Sequence, residues 1–160
     1  REDDGSLPGI EIRNLAPDEI AQIYAWIRSH SVVESLAPTF WDNRHQTDRP
    51  IDSVPNAAHL VATGEAAPFH FAVNGLSVQQ VLIPCLGIFV FQDTIALDYR
   101  MGRAWQPEQV FAFFSLLRLL VKLSAAGTVH PEAGEGPPYP EAFSVAWAYF
   151  LNSHEPPTMP

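Results

Sequence analysis

The chain has 160 residues, of which 47% are hydrophobic and 17% are charged, a composition typical of a folded domain rather than a disordered segment. Its formal net charge of −9 argues against binding to nucleic acid or to an anionic membrane surface, because both are themselves negative. The one cysteine, Cys85, excludes an internal disulfide and a cysteine-based metal site.

The acidic residues are concentrated towards the two ends of the chain. Residues 126–160 carry four acids and no lysine or arginine, whereas residues 53–125 carry four acids and four bases. Such a surface favours a basic partner protein, although mild acidity also serves solubility alone. The sequence shows no signal peptide and no apolar stretch of about twenty residues, so we expect a soluble, cytoplasmic protein.

The first third of the chain has one clear strand and one clear helix. Apolar and polar residues alternate over 9–13, which predicts a half-buried strand. Pro17 opens a segment with an apolar face at helical spacing, which predicts a helix to about His30. Residues 31–52 show no period and are expected to form an irregular loop, and a short helix is expected over 57–64.

The middle of the chain has the pattern of an antiparallel meander. Asn74-Gly75 predicts a hairpin that joins residues 69–73 to residues 76–83. The apolar run 87–91 is expected to be a central strand, followed by a turn at Gln92-Asp93 and a strand over 94–101. On that last strand, Ile95, Leu97 and Tyr99 are expected to share one face, and Ala96, Asp98 and Arg100 the other.

A long apolar helix is predicted from Pro107 to Gly127, followed by a loop over residues 130–140. Residues 142–151 fit helical spacing best but also alternate, so a strand stays possible there. We therefore predict a single α+β domain, with an antiparallel sheet of four to five strands packed against the long apolar helix and two or three further helices. Residues 1–6 and 155–160 are expected to be flexible tails.

The sequence contains no arrangement that predicts catalysis, a cofactor or a metal. Its nine glycines are scattered and its six histidines are isolated, so neither a phosphate-binding loop nor a zinc motif is present. Cys85 lies in an apolar stretch and is expected to be a buried, inert thiol. Asp98 and Arg100 share a strand face as a surface ion pair or an anion site, which His70 could join.

Two segments have the composition of a protein interface. The first combines aromatic residues with charges, at Phe40, Trp41, Asp42, Arg44, His45, Asp48 and Arg49. Alternatively, the two aromatic residues cap the core and the charges are only solvated. The second is the base-free, proline-rich segment with Glu132 and Glu135, which could equally be a solvated connector.

The block GIFVFQDTIALDYRMG at residues 87–102, followed by Trp105 and Pro107, resembles a block found in small bacterial proteins. Some of those are immunity proteins of polymorphic toxin systems, including systems delivered by type VI secretion. The resemblance implies a cytoplasmic inhibitor that binds one cognate toxin tightly. An adaptor or scaffold module would show the same features, and a small enzyme is a third possibility.

Overall fold

The computed structural model describes residues 7–134 and 136–153, and the two predicted tails and Glu135 lie outside these ranges. The ten strands are β1 (Gly9–Arg13), β2 (Val32–Val33), β3 (Thr39–Asp42), β4 (Thr47–Pro50), β5 (Phe69–Asn74), β6 (Ser77–Val78), β7 (Val81–Leu82), β8 (Leu86–Val90), β9 (Ile95–Tyr99) and β10 (Thr128–Pro131). The four helices are α1 (Pro17–Ser29), α2 (Ala57–Ala62), α3 (Pro107–Val121) and α4 (Pro140–Ser153), and a short 3-10 helix covers Ile51–Ser53.

The main sheet has six antiparallel strands in the order β10-β1-β9-β8-β5-β2, which confirms the α+β class. The predicted turn between β8 and β9 is correct, and Phe91 N–H donates to the carbonyl of Thr94 at 2.9 Å. Ile95 and Leu97 are fully buried, and Ala96 between them is buried as well, so both faces of β9 are covered there. The sheet has one strand more than the four to five predicted: β10 starts at Thr128, its last residues lie in the segment predicted as loop, and it pairs with the outer edge of β1. Pro131 fits there because an edge strand tolerates a residue without an N–H.

The predicted pairing across Asn74-Gly75 is wrong. β5 pairs with β8 and β2, while β6 and β7 form a separate two-stranded hairpin. Gly75 adopts φ +83°, and the tight turn lies further on, at Gln79 and Gln80, which also adopt positive φ. Leu76 and Ile83 are thereby buried, and the small hairpin packs against α3. The free energy gained by burying these side chains exceeds the free energy that further hydrogen bonds to β5 would contribute.

Residues 31–52 are not the irregular loop that their composition predicted. They contain β2, the β3–β4 hairpin and the short 3-10 helix. Phe40 is 1% exposed and its neighbour Trp41 is 40% exposed, so the segment does alternate, but over too few residues to give a clear period.

The helices cover the apolar face of the sheet. α1 begins at the predicted proline, and α4 is a helix rather than a strand. α3 ends at Val121, before the predicted Gly127, and its buried side chains include Phe113, Leu116 and Leu120. Among residues 7–134 and 136–153, no helix has both the length and the apolar character needed to cross a membrane.

Candidate functional site

The structure separates the predicted interface residues into two places. Seven of them lie on the β3–β4 hairpin, which contacts β5 near one edge of the main sheet. Glu132 directly follows β10, at the opposite edge. The four strand spacings between β5 and β10 separate the two places by about 19 Å. Glu135 is outside the described residues, so its part in the prediction stays untested.

Asp42 organises the hairpin and is not an exposed contact residue. Its side chain is 4% exposed and accepts four hydrogen bonds. One oxygen accepts the backbone N–H groups of Arg44 and His45, both at 2.9 Å. The other accepts Nη1 of Arg49 and Nδ1 of His45, both at 2.8 Å. Asp42 therefore fixes the loop and the first residues of β4 relative to β3.

The charge state of this network follows from its donors. The hydrogen bond from Arg49, followed by those from the backbone and ring of His45, holds the pKa of the Asp42 carboxyl well below its usual range. An ionised carboxylate only accepts, so Nδ1 of His45 carries the proton that it donates. In neutral His45, Nε2 is then the acceptor nitrogen of an exposed ring.

Phe40 belongs to the core, which contradicts its prediction as a contact residue. Its ring centroid lies 6.3 Å from that of Phe69, and the Arg49 guanidinium lies 5.9 Å from the Phe40 ring centre. Arg49 thus joins the buried ring to the buried carboxylate of Asp42, and its own side chain is only 31% exposed. Phe40, Asp42 and Arg49 therefore stabilise the hairpin from its inner side. Any contact surface consists of the other predicted residues of the hairpin.

The outer side of the hairpin is exposed. Trp41 is 40% exposed and pairs across the ladder with Asp48, which is also exposed. Arg44 and His45 are exposed in the connecting loop. The part of the prediction that stays compatible with an interface is therefore Trp41, Arg44, His45 and Asp48.

A pocket of about 440 Å³ lies beside this loop, between the hairpin and helices α1 and α2. Apolar walls come from Ala21, Val54, Pro55 and Leu60, and polar groups come from Asp42, Arg44, His45, Arg49, Asn56, His59 and Glu65. An apolar interior with a few charged groups is the usual composition of a pocket that takes one anchoring group of a ligand or partner.

Three polar residues of the pocket were missed by sequence reasoning. Asn56 caps α2 by accepting the N–H of His59 at 3.0 Å, and its amide donates to the carbonyl of Ala21 at 2.9 Å. An asparagine before a short apolar helix is a recognisable cap signal, which could have placed this turn. His59 and Glu65 carry no such signal, because only the packing of α2 against the hairpin brings them to the pocket.

The predicted buried position of Cys85 is wrong, since the residue is exposed just before β8. Partial desolvation raises the pKa of its thiol, and the carboxylates of Glu34 and Asp98 add to this rise. His70 pairs with Phe89, four residues along β8 from Cys85, which separates the two by about 13 Å along the strand. The thiol is therefore neither activated nor placed against that histidine.

His70 does join Asp98, as the sequence allowed: Nε2 of His70 lies 2.8 Å from Oδ2 of Asp98. Arg100 is exposed on the same strand end, and its carbonyl accepts the indole N–H of Trp105 at 2.8 Å. Within residues 7–134 and 136–153, no three His, Cys, Asp or Glu side chains are grouped closely enough to hold a metal ion.

No protein-family model, curated protein or solved structure matches this chain.

Proposed function

We propose that this protein is a binding domain that recognises a partner protein through the outer side of the β3–β4 hairpin and the adjoining pocket. The observation that carries the proposal is the network around Asp42, which fixes the loop before any partner arrives. A preformed surface loses little conformational entropy on binding, and the exposed ring of Trp41 supplies a rigid apolar anchor.

The same network favours binding over catalysis at this site. All four hydrogen bonds to Asp42 come from its own hairpin, and the carboxylate is almost inaccessible to solvent. An acid held in this way has a structural role. Arg44 and His45 are then contact residues around an apolar pocket, suited to surround one inserted side chain of a partner.

We propose further that the partner is a bacterial toxin and that the domain acts as its immunity protein in the cytoplasm. The resemblance of residues 87–102 to immunity proteins supports this proposal, as does the net charge of −9. An acidic surface accelerates encounter with a basic partner, and an inhibitor must capture its toxin faster than the toxin reaches its target.

The test is co-expression with the product of the adjacent gene in a bacterial host. We expect that product to arrest growth alone, and the domain to restore growth and to form a one-to-one complex. In the Trp41→Ala/Arg44→Glu variant we expect the affinity to fall by at least about a hundredfold and rescue to be lost. The control is Leu82→Ala, which removes an exposed apolar side chain from β7.

Three results would overturn parts of this proposal. If the product of the adjacent gene is not toxic, the immunity function is excluded. The binding surface can then still be tested with another partner. Binding that is unchanged in the Trp41→Ala/Arg44→Glu variant would move the interface away from the hairpin. An equal loss in Leu82→Ala would show that the effect is not specific to this surface.

An adaptor function is the second candidate, and the placement of the two predicted surfaces favours it. The hairpin and the segment after β10 lie near opposite edges of the sheet, so two partners could bind at once. An adaptor would form a ternary complex by size-exclusion chromatography, whereas an immunity protein needs only the binary one.

A further inference from the structure

Helix α4 is apolar around most of its circumference. Among its 14 residues, Glu141 is the one charged side chain. One face packs against α3, where the Phe114 ring lies 5.5 Å from Phe143 and 5.7 Å from both Trp147 and Phe150. These edge-to-face contacts fix the helix and determine which side is turned outward.

The other face of α4 is uncovered. Glu141, Val145 and Tyr149 follow one another at intervals of four residues and so form one row along the helix. Val145 is 70% exposed, Tyr149 is 69% exposed and Leu151 is 41% exposed. A helix with apolar residues on both sides is normally buried, and a run of exposed apolar side chains marks an interaction surface.

The charges beside this row are predominantly negative. A shallow depression of about 600 Å³ lies between the segment after β10 and the start of α4, and Glu132, Glu141 and Val145 all line it. Arg13 also borders it but is paired with Glu11, and His130 is hydrogen-bonded to Thr128 at 2.8 Å. No lysine or arginine occurs in residues 123–160.

From this arrangement we infer that the outer face of α4 docks a basic amphipathic helix of a partner protein. The partner's apolar side chains pack on Val145 and Tyr149, and its lysine or arginine side chains reach Glu141 at the start of the same row. Charge complementarity favours this occupant, because Glu141 is the one charged side chain of α4 and residues 123–160 contain no lysine or arginine. The surface is separate from the hairpin, so this inference holds whether or not the hairpin binds a toxin.

The probe is a synthetic helical peptide of about 18 residues with leucines at helical spacing and lysines on the flanks. One comparison peptide has the lysines replaced by glutamates. The other has the same composition as the basic peptide in scrambled order. Fluorescence anisotropy with the full chain should show binding of the basic amphipathic peptide alone, weakening as salt is raised. Amide chemical shifts should change along α4 and not on the hairpin.

Two variants locate the binding. Val145→Glu/Tyr149→Glu should lower the affinity for the basic peptide by at least about tenfold. The control Gln22→Glu/Ala25→Glu adds the same charge to exposed positions of α1 and should not weaken it. Glu141→Lys should also reduce the affinity while leaving the apolar row intact.

Equal binding of the acidic and scrambled peptides, or no binding of any peptide, would overturn the inference. So would an equal loss of affinity in the α1 control. A dimer by light scattering that dissociates in Val145→Glu/Tyr149→Glu would assign the face to a second copy instead. Each result leaves the growth-rescue experiment on the hairpin unaffected, so the two proposals fail separately.

Discussion

Nε2 of His70 and Oδ2 of Asp98 are 2.8 Å apart although a whole strand runs between their backbones. His70 is on β5 and Asp98 on β9, and the residue between them on β8 is Gly87, which pairs directly with Asp98. A Cβ atom at position 87 would overlap both the imidazole and the carboxylate. The missing side chain of Gly87 therefore allows a hydrogen bond across the centre of the sheet.

Gly87→Ala is expected to destabilise the protein by about 1 kcal/mol, because the methyl group displaces the ends of the His70 and Asp98 side chains and breaks the hydrogen bond between them. The free energy of unfolding from urea denaturation measures this effect. In a His70→Ala/Asp98→Ala background the cost of Gly87→Ala should be small, since nothing is then displaced. The same cost in both backgrounds would contradict this account of Gly87.

Asp42→Asn should lower the melting temperature by several degrees, because the amide lacks the charge that pairs with Arg49 and turns an N–H₂ group towards groups that are themselves donors. Thermal unfolding followed by circular dichroism is the measurement. Asp48→Asn, on the exposed side of the same hairpin, is the control and should change little.

The depressed pKa of Asp42 also predicts how stability depends on pH. Its contribution is complete above the unfolded pKa, near pH 4, and is lost as pH falls below that value towards the lower folded pKa. The difference between the urea denaturation midpoints of the wild type and Asp42→Asn should therefore be constant from pH 5 to 7. It should decrease below about pH 4. A gap that persists unchanged at pH 2 would show that the carboxylate charge is not the source of the stabilisation.

Phe40 and Trp41 are neighbours with opposite roles, so their substitutions should separate stability from binding. Phe40→Ala removes a ring that is 1% exposed and should cost about 3–5 kcal/mol of unfolding free energy. Trp41→Ala should cost about 1 kcal/mol or less, since much of that side chain faces solvent. Similar losses in the two variants would mean that Trp41 supports the core.

Cys85 should react completely with iodoacetamide without denaturant, because its side chain is exposed. Its rate at pH 8 should be below that of glutathione, because its raised pKa reduces the thiolate fraction. Asp98→Asn should increase the rate by removing one of the carboxylates that raise the pKa. If the thiol of Cys85 reacts only in urea, the residue is buried in the folded protein, as the sequence predicted.

Local patterns in the sequence were sufficient for the elements whose signals come from their own residues. Pro17 and the apolar row of α1, and the turn at Gln92-Asp93, were predicted correctly. Each depends on periodicity or turn chemistry over a few residues, and the packed structure does not oppose it. The mixture of aromatic and charged residues marked residues 40–49 as a candidate interface, but it did not predict that they form a hairpin.

Only the tertiary structure decided which strand pairs with which and which side chain faces the solvent. Gly75 adopts a positive φ, but the chain does not fold back on β5 there: Leu76 and Ile83 are buried, and β6 and β7 pair with each other and pack against α3. Composition grouped Phe40, Asp42 and Trp41 as one surface, whereas packing buries the first two and exposes the third. No local pattern in the sequence predicts that His59 lies beside the same pocket as the hairpin. These outcomes depend on contacts between residues distant in the chain, whose free energy no short window of sequence contains.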